Sequence, residues 1–279
     1  MQVISTIAEL RARLSDESAI AFVPTMGNLH EGHLDLMRQA RSHGSCVVAS
    51  VFVNPLQFGP NEDFDQYPRT LSADCEKMKA IVDVVFAPAV NEMYPLPQTV
   101  FVEPPPIANE LCGAARPGHF RGMATVVLKL LNIVQPRTAL FGKKDYQQLH
   151  IIRQLVAQLS LPVQIIGGET VRAADGLALS SRNQYLTQDE RGEAIFLNQT
   201  LQSMRLALEQ GRDDFAGLEQ QAQLALSGRG WAVDYVSIRN QADLQPASLI
   251  ERNLVIVAAA RLGKTRLLDN IEVSLAARA

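Results

Sequence analysis

SAIAFVPTMGNLHEGHLDLMRQARSHG, residues 18–44, is the stretch that decides the fold. SAIAFV (18–23) is an apolar run of strand length, and LDLMRQARSHG (34–44) is amphipathic at helical spacing. PTMGNLHEGH (24–33) lies between them, punctuated by Pro24, Gly27 and Gly32. Strand, tight turn and helix N-terminus in that order form the place where an α/β protein meets a phosphate. His30 and His33 stand three apart at that helix start, where their N–H groups can bond phosphoryl oxygens as charge builds. Gly27 and Gly32 allow close backbone approach. Two other readings stay open on these residues: a zinc-binding pair on one helix face, and ordinary capping or core histidines.

Outward from this stretch, residues up to about 165 alternate apolar runs with helical patterns, which predicts an α/β fold with a parallel sheet. Strands are expected at 19–24, 46–53, 82–87, 138–141 and 163–167. Helices are expected at 32–43, 70–80 (with Thr70 as N-cap), 118–134 and 145–159. The first residues, MQVISTIAELRARLSDES, read as a short amphipathic helix. A further short strand is expected at 99–103. Residues 168–185 read as a connection with one short strand. Two helical patterns follow in 187–228, then strands at 233–238, 253–260 and 265–273, which predicts a smaller α+β domain. The expected division is a parallel-sheet α/β domain at 1–170 and a smaller α+β domain at 171–279. The aperiodic, Pro-rich segment 54–69 is expected to be functional or mobile.

Composition narrows the class. The chain has 279 residues, a net charge of −3 and 47% apolar residues, which fits a globular protein without a basic nucleic-acid face. The longest apolar run, CVVASVFV (46–53), is too short to cross a bilayer. No basic-then-apolar leader pattern opens the sequence, so a cytoplasmic protein is expected. Cys46, Cys75 and Cys112 match no metal or redox spacing, and Cys46 reads as a core residue.

Four polar segments each follow an expected strand, where open parallel sheets bind ligands. They are TMGNLHEGH, NPLQF, GKKDYQQ (142–148) and GLALSSRN (176–183). Lys144 can reach a triphosphate as a point charge, and Asp145 can cap a helix or bind a ribose. Arg182 suits bidentate phosphate binding, while the same loop also reads as a Ser/Thr turn with a surface arginine. Arg116, His119 and Arg121 crowd the start of a long helix, where cations are disfavoured unless an anion is near. Gln57 and Gln148 can bond a hydroxylated substrate.

PTMGNLHEGH, FVNPLQFG, YPRT, RPGHFRG, FGKKDYQQL, DGLALSSRN and RLGKTRLLDN together resemble the pantoate–β-alanine ligase family, in family order and over nearly the whole chain. The family belongs to the nucleotidyltransferase superfamily, whose HxGH element is similar to the HIGH signature of class I tRNA synthetases. The resemblance implies a Rossmann-like N-terminal catalytic domain, a smaller C-terminal domain acting as a lid, and a homodimer. It implies ATP with Mg²⁺, and D-pantoate and β-alanine as substrates, joined through a pantoyl-adenylate. It implies that His30, His33, Lys144 and Arg182 stabilise charge. Met26, Gly142, Asp145, Val171, Leu179, Ser180 and Ser181 would complete the ATP site, and Met26, Gln57 and Gln148 the pantoate pocket. It leaves the metal's protein ligands unassigned. One position departs from the family pattern: Lys143 stands where Glu or Gln is more usual, and Lys144, directly before Asp145, is the expected phosphate lysine. Two rivals are a different nucleotidyltransferase, such as a cytidylyltransferase or a synthetase-like enzyme, and a catalytically silent nucleotide-binding module. The absence of KMSKS and of a basic surface counts against a synthetase.

Overall fold

A computed structural model of the chain describes residues 1–60 and 62–275. Asn61, within the 54–69 segment, and 276–279, at the end of the expected second domain, lie outside the described residues.

Nine strands and ten α-helices are described. In chain order the first part is β1 (Gln2–Ile4), α1 (Ile7–Leu14), β2 (Ile20–Thr25), α2 (Glu31–Ala40), β3 (Cys46–Val51), α3 (Leu71–Met78), β4 (Val84–Phe86), α4 (Val90–Met93), α5 (Cys112–Ala115), α6 (His119–Val134), β5 (Thr138–Gly142), α7 (Tyr146–Gln158) and β6 (Gln164–Gly168). The second part is α8 (Gln188–Glu193), α9 (Ile195–Glu209), α10 (Phe215–Ser227), β7 (Ala232–Asn240), β8 (Asn253–Leu262) and β9 (Thr265–Ser274).

Strands one to six form one parallel sheet in the order β1-β4-β3-β2-β5-β6. Side chains alternate between its faces. Phe22, Cys46, Val48 and Phe86 pack with α1, α6 and α7, whereas Ala21, Val23, Val47 and Leu140 pack with α2 and α3. Both faces are covered, which is why these strands read as unbroken apolar runs. The chain leaves β2 toward β3 on one side, and β5 lies on the other, so the strand order reverses between β2 and β5. That switch point is where such sheets open a crevice.

The C-terminal strands form an antiparallel sheet in the order β7-β8-β9. The central β8 is buried on both faces. Leu254, Ile256, Ala258 and Ala260 meet α9 and α10, while Val255 and Val257 join the core cluster of the first domain. The small sheet is therefore packed between its own helices and the larger domain.

Several expectations need correction. The N-terminus is a strand before it is a helix: Gln2–Ile4 pairs with β4 as the edge of the sheet. A three-residue edge strand is too short for a periodic signal. Residues 99–103 form no strand. They run extended beside α6, and Val102 N–H donates to Thr125 Oγ1 instead of a ladder partner. Beyond Gly168, which ends β6, residues 169–185 contain no regular strand but a narrow hairpin bridged between Arg172 and Ala178. Thr70 precedes α3 without capping it, because its hydroxyl donates to Asp74 Oδ2 at 3.0 Å. Asp145 likewise makes no side-chain cap on α7. Three helices, not two, fill 187–228, since a break at Ala194 separates α8 from α9.

Candidate active site

The turn after β2 is built tightly. Thr25 Oγ1 donates to Ser50 O of β3 and accepts from Gly27 N–H. Gly27 has φ +85°, and a Cβ there would meet Val51 Cγ1 at 3.0 Å and Asp74 Oδ2 at 3.2 Å. Glycine is thus required by both conformation and space. Asn28 follows at φ +50°. The fully buried Asp74 carboxylate of α3 then accepts from Asn28 N–H at 2.9 Å and Leu29 N–H at 2.8 Å. Lys77, one turn further along α3, donates to Leu29 O at 2.6 Å.

His30 and His33 lie at the start of α2 with ring centroids 4.0 Å apart. His30 Nδ1 accepts from Gly32 N–H, and His33 Nδ1 accepts from His30 N–H, a reciprocal capping box. A backbone amide can only donate. Both Nδ1 atoms are therefore acceptors, and in the neutral rings the proton sits on Nε2. Burial lowers both imidazoles, His30 to about 3 and His33 to about 4. For His30 the next cause is repulsion from His33 and then Lys144, and for His33 it is Lys144. Capping and phosphate donation are thus compatible roles: Nδ1 serves the helix, and Nε2–H is left to donate. Among the described residues no cluster of three or more His, Cys, Asp or Glu is arranged to hold a metal around this pair.

Two doublets in GKKDYQQ each divide their work. Lys143 turns away from the sheet crevice to pair with Glu169 at 2.6 Å and Glu272 at 2.8 Å. Lys144 faces the crevice, and its ammonium has no ion-pair partner among the described residues. Gln147 is buried and structural, donating to Ile107 O and Glu110 O and accepting from Cys112 N–H. Gln147 and Gln148 both line the crevice, and the Gln148 side chain has no hydrogen-bond partner among the described residues.

The segment after β3 is fixed on α6. Gly122 permits this contact, since a Cβ there would lie 1.9 Å from Leu56 O. Asn54, only 1% exposed, donates to Gly122 O and Gln57 Oε1 and accepts from Tyr94 OH. Gln57 Nε2 in turn approaches Met26 Sδ at 3.1 Å, which brings the two expected pantoate contacts side by side. Arg116 and His119 both bind Gln57 O, and Arg116 pairs with Glu62 at 2.6 Å. They brace the segment and themselves line the cleft. Arg121 points elsewhere and stacks over Phe101 at 4.0 Å.

In the Leu179–Asn183 loop Ser180 Oγ accepts from Arg182 N–H, so the Ser/Thr turn is present. Ser181 Oγ donates to Asn28 O at 3.0 Å, stitching this loop to the histidine turn. Arg182 pairs with Asp63 at 3.0 Å and lies over Tyr67. Every residue that the resemblance assigns to the ATP or pantoate sites lines one cleft of about 650 Å³ at the β2/β5 switch point: Met26, His30, His33, Gln57, Gly142, Lys144, Asp145, Gln148, Val171, Leu179, Ser180, Ser181 and Arg182. Sequence reasoning missed Asn54, Asp63, Asp74 and Asn270, which hold these groups by side-chain hydrogen bonds. The FVNPLQFG and RLLDN motifs contained two of them. No helix among the described residues is long and apolar enough to cross a membrane.

A doubly covered parallel sheet with donors and cations converging at its switch point defines an α/β protein built to handle a phosphorylated ligand. The family model for pantoate–β-alanine ligase matches residues 2–272. Pantothenate synthetase from Nitrosospira multiformis is 59% identical over 275 residues, covering 98% of this chain and 99% of its own length. The crystal structure of pantothenate synthetase from Thermus thermophilus superposes with a TM-score of 0.94 at 45% identity, covering 98% of this chain and all of that one. The Francisella tularensis pantoate–β-alanine ligase, crystallised with β,γ-ATP and β-alanine, superposes at 0.82 with 36% identity over 97% of each chain. The chain belongs to the pantoate–β-alanine ligase family.

Proposed function

We propose that this chain condenses D-pantoate with β-alanine at the expense of ATP, through a pantoyl-adenylate. In the first step a pantoate carboxylate oxygen bonds to the α-phosphorus of ATP, the bond from that phosphorus to the β-phosphate oxygen breaks, and pyrophosphate leaves. In the second the β-alanine amine bonds to the acyl carbon, the acyl–oxygen bond to AMP breaks, and the amine loses a proton. Neither step needs a protein nucleophile. The protein orients reactants and stabilises charge.

The observation that carries this reading is the pair of neutral Nε2–H donors at the start of α2, within electrostatic reach of the Lys144 ammonium, which has no ion-pair partner among the described residues. Negative charge grows on the phosphorane oxygens in the transition state, and such donors bond it most strongly then. Arg182 joins them from the opposite loop once phosphate competes with Asp63 for its guanidinium. Gly142, Asp145, Val171, Leu179, Ser180 and Ser181 complete the nucleotide contacts. Met26, Gln57 and Gln148 hold pantoate, whose hydroxyls suit the two amides.

Mg²⁺ is part of the proposal. Among the described residues no three acids or histidines gather as a metal cage, and Glu62 and Asp63 are already paired with arginines, which suits a cation that keeps several waters and arrives on the triphosphate. When bound it neutralises phosphate charge. The working division is 1–170 for catalysis and 171–279 as the lid, which shields an adenylate prone to hydrolysis. The reading extends to a homodimer in the cytoplasm, as the family resemblance implies. ATP–pyrophosphate exchange is the test: it should require pantoate and stop at exchange until β-alanine releases AMP. Exchange without pantoate would defeat the reading.

A further inference from the structure

β9 carries two buried polar residues in succession, Asp269 and Asn270, respectively 4% and 6% exposed. Successive side chains of a strand point to opposite faces. Leu267, Ile271 and Val273 share the Asp269 face and belong to the C-terminal core. The opposite face carries Asn270 and Glu272, which meet the GKKDY segment of the larger domain. The dipeptide therefore reaches two separate loops.

Asn270 Nδ2 donates to Lys143 O at 2.9 Å and to Lys144 O at 2.8 Å. One side-chain amide thus uses both of its hydrogens to hold the peptide that carries the cleft lysine. Glu272, two residues on, takes the Lys143 ammonium and the Tyr146 hydroxyl. That pairing draws the first lysine out of the cleft and leaves the second inside. Asp269 accepts both terminal nitrogens of Arg172, at 2.7 and 2.8 Å, and a third bond from Asn198. Arg172 donates onward to Gly176 O, across the hairpin whose bridge joins Arg172 to Ala178. That hairpin leads directly into Leu179–Arg182.

We propose that Asp269 and Asn270 are positioning residues that fix the relative placement of the two cationic loops, Asn270 acting through Lys144 and Asp269 through the Arg172 hairpin. The C-terminal domain then sets the geometry of phosphate binding from inside its own sheet, in addition to covering the cleft. This inference rests on Lys144 being a triphosphate contact.

The test is a double-mutant cycle on the full-length enzyme, read by ATP–pyrophosphate exchange and by KM for ATP and pantoate. Asn270→Ala should lower kcat/KM for ATP by up to about 100-fold, the scale of a roughly 1 Å misplacement. KM for pantoate should stay unchanged. In the Lys144→Ala background the same substitution should cost less than about threefold, because its target is gone. Asn270→Asp, equal in size, puts an acceptor against two carbonyls and should reproduce the loss. Full additivity with Lys144→Ala, or equal damage to both substrates' KM, would overturn the inference. So would loss of the folded state in both Asn270 variants, since the residue would then serve the sheet alone. If Lys144→Ala itself proves fully active, the fault lies with the lysine assignment under the proposed function, and that outcome is separately visible.

Discussion

Removing the Asp74 carboxylate should both destabilise the protein and disable its phosphate turn. Asp74 is fully buried and lies on α3, away from the cleft wall. Its two oxygens accept from Asn28 N–H, Leu29 N–H and Thr70 Oγ1. In Asp74→Ala two main-chain amides lose their acceptor, and a buried unsatisfied donor costs about 1–3 kcal/mol. The Thr70 hydroxyl can rotate toward water, so its share is small. The sum is about 3–4 kcal/mol, a large part of the ordinary 5–15 kcal/mol of a folded domain (order of magnitude). Asp74→Asn keeps one oxygen for one amide but turns an NH₂ toward the other, and should cost about half as much. Asn28 already sits at φ +50°, a conformation held by these bonds, so the freed turn should relax. Relaxation shifts His30 and His33, and a shift near 1 Å costs about 100-fold in rate. Urea unfolding followed by circular dichroism measures the first effect, and pantoate-dependent ATP–pyrophosphate exchange measures the second. A folded Asp74→Ala protein losing under about 1 kcal/mol, with exchange unchanged, would refute the view that α3 holds this turn.

Three further outcomes are expected. Lys144→Ala should reduce pantoate-dependent exchange by about 10²–10³, the usual effect of losing one charge-stabilising donor, whereas Lys143→Ala, which cuts a Glu169/Glu272 contact, should act mainly on thermal stability. His30→Ala and His30→Asn should be equally inactive, but Asn should recover about 1 kcal/mol in urea unfolding, because it restores the cap and lacks the Nε2 donor; an active His30→Asn enzyme would disprove the donor role. Stability should fall with acid through His119. Burial, then the Arg116 charge, lowers it to about 4 against 6.5 for the ordinary imidazole. The unfolded chain takes up the proton first as pH falls, so this contribution is complete above about 6.5 and lost between about 6.5 and 4, worth about 3 kcal/mol. Urea midpoints that stay flat across that window, with His119→Gln behaving like the parent, would disprove it.

The larger fold was legible because both faces of its sheet are covered. That coverage makes β2 and β3 continuous apolar runs and leaves Pro24, Gly27 and Gly32 as clear punctuation. What escaped was short or locally ambiguous. β1 is three residues long and owes its existence to the β4 edge beside it. Residues 99–103 have β-forming composition, but they join no ladder, and the segment satisfies Val102 N–H on a threonine of α6 instead. Strand propensity describes what a segment tolerates, and a neighbouring edge decides whether it becomes a strand.

The site was legible at the level of segments and less so within them. All four strand-end motifs meet in one cleft, because the C-terminal edge of a parallel sheet gathers the loops that follow its strands. Residue type alone could not divide Gln147 from Gln148, although resemblance favoured Gln148, since nothing in a polar doublet says which member's amide is already taken. That answer came from Ile107 and Glu110, far away in the chain, whose carbonyls claim Gln147. The same holds for Lys143 and Lys144: Glu169 and Glu272 claim the first, and Asn270 holds the peptide of the second. Resemblance favoured Lys144, and the acids opposite Lys143 supply a physical reason for the same choice. On the histidine turn, one atomic detail makes the capping reading compatible with the proposed phosphate role. A helix cap and a phosphate donor compete only if they need the same nitrogen. Here the cap consumes Nδ1 of each ring, which fixes the tautomer and leaves each Nε2–H free for the donor role proposed above.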